Sequence, residues 1–190
     1  MSTFEFISVL MSIVVGLGIT RILSSLTSII DHRAKSTLDG VSLLWAFNIL
    51  VMLLMFWWVV VNNWRIREAW SFSGFAALFL YGVGIYFCAA LILPRVDAEG
   101  VDMRARFERI RVPFFLFWLF VILLELFDSL LKGGDYVLSE LGPPYIVGMG
   151  SSLVLGVFAL RVRGRLFHWV FALWTCVTFM AWVLSRFSQI

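Results

Sequence analysis

The chain has 190 residues, of which 62% are hydrophobic and 14% charged, and its formal net charge is +3. Soluble globular chains are only about half apolar, so this composition excludes an ordinary soluble domain and favours a membrane protein. The basic residues lie between apolar runs, which is typical of topological anchors and not of a nucleic-acid-binding surface. Cys88 and Cys176 are isolated within apolar runs, so they predict neither a disulfide framework nor a metal site.

Six apolar segments predict an all-α, polytopic membrane protein, a single domain made of six transmembrane helices, because a span needs about 20 apolar residues. The predicted spans cover residues 4–30, 41–61, 72–93, 112–131, 145–160 and 166–187. The fifth is the weakest, since it covers only about 24 Å and follows Pro143 and Pro144. Two alternatives remain for it, a full crossing and a re-entrant or broken segment.

The distribution of positive charge predicts the orientation. The connections after spans one, three and five carry ten basic residues: Arg33, Lys35, Arg95, Arg104, Arg106, Arg109, Arg111, Arg161, Arg163 and Arg165. The opposite side carries Arg65, Arg67, Lys132 and Arg186. Positive residues favour the cytoplasmic side, so we expect both termini to lie outside. A re-entrant fifth segment would place residues 161–165 outside, which favours the full crossing.

The basic loop 94–111 is the longest predicted cytoplasmic connection. Its second half alternates arginine with apolar residues, which is typical of an amphipathic helix lying on a membrane surface. In that case anionic lipid headgroups would lie near Arg104, Arg106, Arg109 and Arg111. The alternative is a solvated linker that only determines topology.

Small residues recur at helical spacing on two spans. On span one they are Ser8, Ser12, Gly16, Thr20, Ser24 and Ser28, and on span five Gly148, Ser152 and Gly156. Small residues on one face allow neighbouring membrane helices to approach closely, so both stripes predict helix packing. Alternatively, Thr20 and Ser24 line a polar path.

Four polar residues within predicted spans form a candidate transport site or polar centre: Arg21, Asn48, Glu125 and Asp128. Ionisable groups inside a membrane are costly and usually functional, and bare carboxylates there are protonated, paired or hydrated. Arg21 is the predicted countercharge of Glu125. Two alternatives remain: the groups form structural ion pairs, or span four begins at Phe107 and both acids reach the outer headgroups.

His32 and His168 are predicted near the same membrane face, where together they would ligate a haem or metal. The alternative is that both are ordinary interfacial histidines, and this is the interpretation that we adopt, without a cofactor. The sequence contains no phosphate-binding glycine loop, nucleophile elbow or metalloprotease helix, which favours a non-enzymatic protein.

Three strings resemble a group of small bacterial multi-pass inner-membrane proteins: residues 15–23 (VGLGITRIL), 56–58 (FWW) and 101–104 (VDMR). The resemblance covers much of the chain. It implies a compact bundle in a bacterial cytoplasmic membrane, and it carries over no activity and no catalytic residue.

These features predict an integral membrane protein with three alternative functions. The first is a small transporter or channel, with Glu125 or Asp128 as the titrating acid. The second is a non-catalytic accessory or scaffold subunit of a larger membrane complex. The third is a haem- or quinone-binding redox protein. The expected partners are the lipid bilayer and either further copies of the chain or a larger complex.

Overall fold

A computed structural model describes residues 3–63, 72–96, 99–131 and 142–187. In this part of the chain the secondary structure consists of six α-helices, with a short 3-10 turn at Arg33–Lys35. The protein is therefore all-α, as predicted. The helices are α1 (Thr3–Asp31), α2 (Gly40–Asn63), α3 (Phe72–Ile92), α4 (Met103–Leu131), α5 (Gly142–Ala159) and α6 (Arg165–Phe187).

Five of the described helices are long and apolar enough to cross a membrane, which is compatible with an integral membrane protein. Helix α5 is the exception, because its apolar part, Tyr145–Ala159, is shorter. At 1.5 Å per residue it covers about 22 Å of a core that is about 30 Å thick. It is one continuous helix without a break.

Helix α4 begins earlier than the sequence predicted. The predicted span started at residue 112, after a loop, whereas α4 starts at Met103 and includes Pro113. The reason is an N-cap: Asp102 Oδ1 accepts hydrogen bonds from the backbone N–H of Arg104 at 2.9 Å and of Ala105 at 3.1 Å. The basic segment is therefore neither a separate surface helix nor a linker, since it forms the first turns of α4.

The chain divides into two compact units, Met1–Ile110 and Arg111–Ile190, and the division falls within α4. Unit 1 holds α1, α2, α3 and the first turns of α4. Unit 2 holds the rest of α4 with α5 and α6. The single six-helix bundle expected from the sequence stays a prediction.

In unit 1, α1 packs against α2 and α3, and α2 packs against α3. Two glycines allow this close approach. A Cβ atom at Gly18 would lie 3.0 Å from Leu53, and one at Gly82 would lie 3.3 Å from the Phe56 ring. The buried apolar residues of α1 are four or seven positions apart, so they form one helix face: Ile7, Met11, Val15, Ile22 and Ile29.

An aromatic core fills unit 2. Phe115 and Trp118 of α4 and Phe171 of α6 are fully buried, and the Phe115 and Phe171 rings stack with centroids 5.7 Å apart. Helix α5 approaches closely because a Cβ atom at Gly156 would lie only 2.8 Å from Leu119. Three helices thus share one core within this unit.

The α1–α2 and α3–α4 connections pair with each other in unit 1. The Thr37 N–H donates to Val101 O at 3.0 Å, and the Met103 N–H donates to Thr37 O at 3.2 Å. Gly100 adopts a φ of +81°, and a side chain there would collide with the Lys35 carbonyl. Both connections consequently lie on the same side of unit 1, which we call the paired-loop side.

Candidate functional site

Arg21 lies in the second half of α1, and its guanidinium reaches the end of α3. Nη2 donates to Ala90 O at 3.2 Å and to Leu93 O at 3.4 Å, while Nη1 donates to Ser25 Oγ at 2.7 Å. The last carbonyl groups of a helix receive no hydrogen bond from the helix itself, and Pro94 prevents α3 from continuing. Arg21 therefore satisfies carbonyls that would otherwise have no donor in an apolar environment.

Arg106 of α4 serves the same helix end. Its Nη1 donates to Leu91 O at 2.8 Å and to Ile92 O at 3.4 Å. The C-terminus of a helix carries a partial negative charge, which further favours cations there. Two arginines from two helices thus cap α3, and this capping explains an arginine in the apolar sequence of α1.

In unit 2 an arginine likewise caps the end of α5. Arg111 is only 5% exposed, and its Nη1 donates to Ala159 O and, at 2.9 Å, to Val162 O. His168 Nε2 lies 2.9 Å from the same Val162 oxygen. Because a carbonyl oxygen only accepts, Nε2 carries the hydrogen. The His168 ring stacks on Phe115, with centroids 5.6 Å apart.

A hydroxyl–carboxyl cluster joins α4 and α5 in unit 2. Tyr145, 5% exposed, donates its phenolic hydrogen to Glu125 Oε1 at 3.3 Å. The Ser129 Oγ lies 2.6 Å from the same phenolic oxygen, and Ser129 is 2% exposed. The charge of Asp128 also acts on Tyr145. We call Ser129, Tyr145 and Glu125 the triad.

The hydrogen bonds of the triad have one direction when Glu125 is ionised. The phenol has a single hydrogen, so if Tyr145 donates it to Glu125, the Ser129 hydroxyl donates to Tyr145. Protonation of Glu125 allows each bond to reverse. A chain of hydroxyl groups that ends on a carboxyl group is therefore suited to take up, hold and release a proton.

Further hydroxyl groups are buried on α5 and α6 in unit 2. Ser152 of α5 is 2% exposed, and Thr175 and Thr178 of α6 are 0% and 9% exposed. Thr175 Oγ1 donates to Phe171 O at 2.9 Å, and Thr178 Oγ1 donates to Trp174 O at 2.9 Å. On α6, His168, Thr175 and Thr178 are seven and three residues apart, so they share one face.

The predicted four-residue polar centre is divided between the units. Arg21 and the buried Asn48 belong to unit 1, whereas Glu125 and Asp128 belong to unit 2. The structure joins Glu125 to Tyr145 and joins Arg21 to the end of α3. The role of Arg21 as countercharge stays a prediction. Thr20 and Ser24, for which a polar path was the alternative to helix packing, are exposed on α1.

The two small-residue stripes have different surroundings. In α1, Ser8, Ser12 and Gly16 are half-buried, and unit 1 places no atom within 4 Å of a Cβ atom at Gly16. In α5, Ser152 is buried and Gly156 lies against Leu119. A Cβ atom at Gly148 would lie 3.5 Å from the Cβ atom of Thr178.

Sequence reasoning missed Tyr145 and misplaced Arg111. A tyrosine in an apolar run looks like an interfacial anchor, and only the approach of α5 to α4 identifies its partners. Arg111 was expected among lipid headgroups, but the structure buries its side chain at the end of α5. The helical phase offered a signal, since Arg111 and Phe115 are four residues apart and share a face.

The histidines lie in different units. His32 Nδ1 lies 3.0 Å from Ser28 O in unit 1, and His168 is buried in unit 2. Among the described residues, no group of three or more His, Cys, Asp or Glu is arranged to hold a metal ion. The interpretation of both as ordinary interfacial histidines, without a cofactor, stays a prediction.

Comparison of the chain with family models, with curated proteins and with solved structures finds no match.

Proposed function

We propose that the protein is a small proton-conducting or proton-coupled transporter in which Glu125 is the titrating acid. The observation that carries the proposal is the hydrogen-bonded triad, with Tyr145 donating to Glu125 at 3.3 Å and Ser129 lying 2.6 Å from Tyr145. Helices long and apolar enough to cross a membrane supply the required setting.

The depth of Glu125 supports a role within the membrane. It lies fourteen residues beyond Arg111 on α4, which is about 21 Å along the helix. If Arg111 lies at the inner interface, Glu125 lies in the outer third of a core about 30 Å thick. An acid at that depth is stable when protonated, and when ionised it needs donors, which Tyr145 provides.

Polar groups elsewhere in unit 2 support a path for protons. Ser152 of α5 and Thr175 and Thr178 of α6 are buried in the same unit as the triad, Arg111 and His168. Chains of carboxyl, hydroxyl and imidazole groups are typical of proton relays in membrane proteins. In this account a proton enters at one end of unit 2 and passes through Glu125.

The test is proton flux into liposomes that contain the purified protein, followed with an internal pH-sensitive dye under an imposed potassium diffusion potential. The variant is Glu125→Gln, which keeps the shape of the side chain and removes its titration. The matched control is Glu108→Gln, because Glu108 is an exposed glutamate on the first turns of the same helix. Unfolding temperatures of both variants verify that each is folded.

We expect Glu125→Gln to lower the protein-dependent flux about a hundredfold or more, since a positioned proton-transfer group typically alters rates by about 10²–10⁴-fold. Glu108→Gln should retain the wild-type flux. Equal flux in the wild type and a folded Glu125→Gln variant would reject the proposal.

A second candidate, an accessory subunit of a larger membrane complex, is favoured by the α1 stripe, since Gly16 has no neighbour within 4 Å in unit 1. Small residues are typical of faces that receive another membrane helix. Native mass spectrometry of protein released in mild detergent tests it. Another polypeptide retained at fixed stoichiometry supports the subunit, and a mass explained by copies of the 21.8 kDa chain opposes it.

A further inference from the structure

Four arginines gather at the end of α3, on the paired-loop side of unit 1. Arg21 lies within electrostatic range of Arg95, and Arg106 lies within range of Arg21 and Arg109. We call these four residues the arginine cluster. Arg21 and Arg106 donate to four consecutive residues, from Ala90 to Leu93. Their guanidinium groups are therefore held close together.

Positive charge in the cluster exceeds what the helix end can balance. A helix C-terminus carries about half a negative charge, whereas the cluster carries four positive charges. The nearby Asp102 is engaged at the start of α4, where its Oδ1 accepts two backbone hydrogen bonds. Glu108 lies about 200° around the helix from Arg106, at 100° per residue. The repulsion among the arginines would be relieved by an anion.

Two members of the cluster are available for such an anion. Arg95 and Arg109 are exposed, and neither donates a hydrogen bond to another residue that the structure describes. Arg106 and Arg109 are three residues apart on α4, so they share a face. Guanidinium groups bind phosphate through paired N–H donors, which makes arginine well suited to a phosphate ligand.

We propose that the arginine cluster binds a phosphate oxyanion between Arg95 and Arg109, above the two arginines that cap α3. The ligand is the phosphodiester of an anionic phospholipid or a free phosphate, since both present the same oxygen atoms. The site shares Arg106 and Arg109 with the headgroup contacts expected from the sequence, and it adds Arg21 and Arg95. Arg111 is excluded because it is buried, and Arg104 lies about 200° around α4 from Arg106. The inference is independent of proton transport by unit 2.

The experiment compares the binding of phospholipid and of inorganic phosphate to the wild-type protein and to two double variants. Arg95→Gln with Arg109→Gln removes the exposed half of the cluster and spares both capping arginines. Arg33→Gln with Arg163→Gln is the control, because it removes the same charge from two other exposed arginines. Native mass spectrometry measures how much added phosphatidylglycerol each protein retains, with phosphatidylcholine as the zwitterionic reference. Inorganic phosphate is then added as a competitor and, in a lipid-free sample, as the sole ligand in a thermal unfolding assay.

We expect the wild type to retain phosphatidylglycerol over phosphatidylcholine, and the cluster variant to weaken that retention about tenfold or more. The control variant should retain phosphatidylglycerol to within about twofold of the wild type. Retention that inorganic phosphate does not displace identifies the lipid as the source. Displacement by phosphate, or a phosphate-dependent rise in unfolding temperature that the cluster variant loses, identifies the free anion.

Two results would overturn the inference. The first is equal retention of both lipids by the wild type, together with no effect of inorganic phosphate on its unfolding. The second is an equal loss in the cluster variant and the control, because that would indicate a response to net charge and not to this site.

Discussion

Individual arginines in the apolar helices are explained by the backbone that they serve. Arg21 and Arg106 donate to carbonyls at the end of α3, and Arg111 donates to carbonyls at and beyond the end of α5. A charged donor gains more from a carbonyl than a neutral donor does, and the carbonyl would lack a donor in hydrocarbon. The same physical requirement thus accounts for three arginines in two separate units.

Replacing Arg21 should destabilise unit 1. In Arg21→Leu the carbonyls of Ala90 and Leu93 lose their side-chain donor, with an expected cost of about 1–3 kcal/mol. The measurement is the free energy of unfolding in detergent. The control is Arg33→Leu, which removes an exposed arginine just beyond α1. A wild-type stability in Arg21→Leu would show that these capping bonds contribute nothing.

Removing the phenolic hydroxyl of Tyr145 tests the triad at its centre. In Tyr145→Phe, Glu125 loses a donor and Ser129 loses its partner, so proton flux should fall while the aromatic packing stays. The unfolding free energy should drop by about 1–2 kcal/mol. Tyr86→Phe, in α3 of unit 1, is the matched control. If Tyr145→Phe conducts protons at the wild-type rate, the phenol is not part of the path.

At this scale the sequence predicted which residues needed an explanation, but not their partners. Arg21 and Glu125 stand out in any hydropathy profile because charge in hydrocarbon is costly. Their actual contacts, Ala90 O and the Tyr145 hydroxyl, depend on how helices distant in sequence approach each other. The helix periodicity within one segment carries no information about that approach.

Among the helices, α2 and α4 begin at aspartate caps. Asp39 Oδ2 accepts from the Ser42 N–H at 2.9 Å at the start of α2, and Asp102 does the same for α4. Hydropathy alone placed the start of span four at residue 112. Helix α4 extends beyond the predicted span, to Met103, because its first turns are polar, and a polar helix has no hydropathy signal of its own. The motif Asp102 followed by a helix-forming segment was the available signal.

Loss of the α4 cap should be measurable by itself. Asp102→Ala removes the acceptor for the Arg104 and Ala105 amides, with an expected cost of about 1 kcal/mol. Amide hydrogen exchange in detergent should accelerate at the start of α4 and remain unchanged in α6. Asp102→Asn keeps an acceptor and should retain most of the protection. Unchanged exchange in Asp102→Ala would contradict the cap.

At the scale of the whole molecule, an all-α protein with long apolar helices was predictable because hydropathy reports directly on the solvent of each helix. The two units were not predictable, since their division falls inside the continuous helix α4. Both units use arginines of α4 to cap the end of another helix. One arginine caps α3 in unit 1, and another caps α5 in unit 2. The triad lies entirely within unit 2.

The proposed function requires that Glu125 gains and loses a proton while hydrogen-bonded to Tyr145. The most direct measurement is an infrared difference spectrum of the protein in liposomes, recorded between low and high pH in the carboxyl C=O stretching region. We expect a carboxyl C=O band that is lost in Glu125→Gln, shifted in Tyr145→Phe and retained in Glu108→Gln. A spectrum that is identical in the wild type and Glu125→Gln would contradict it.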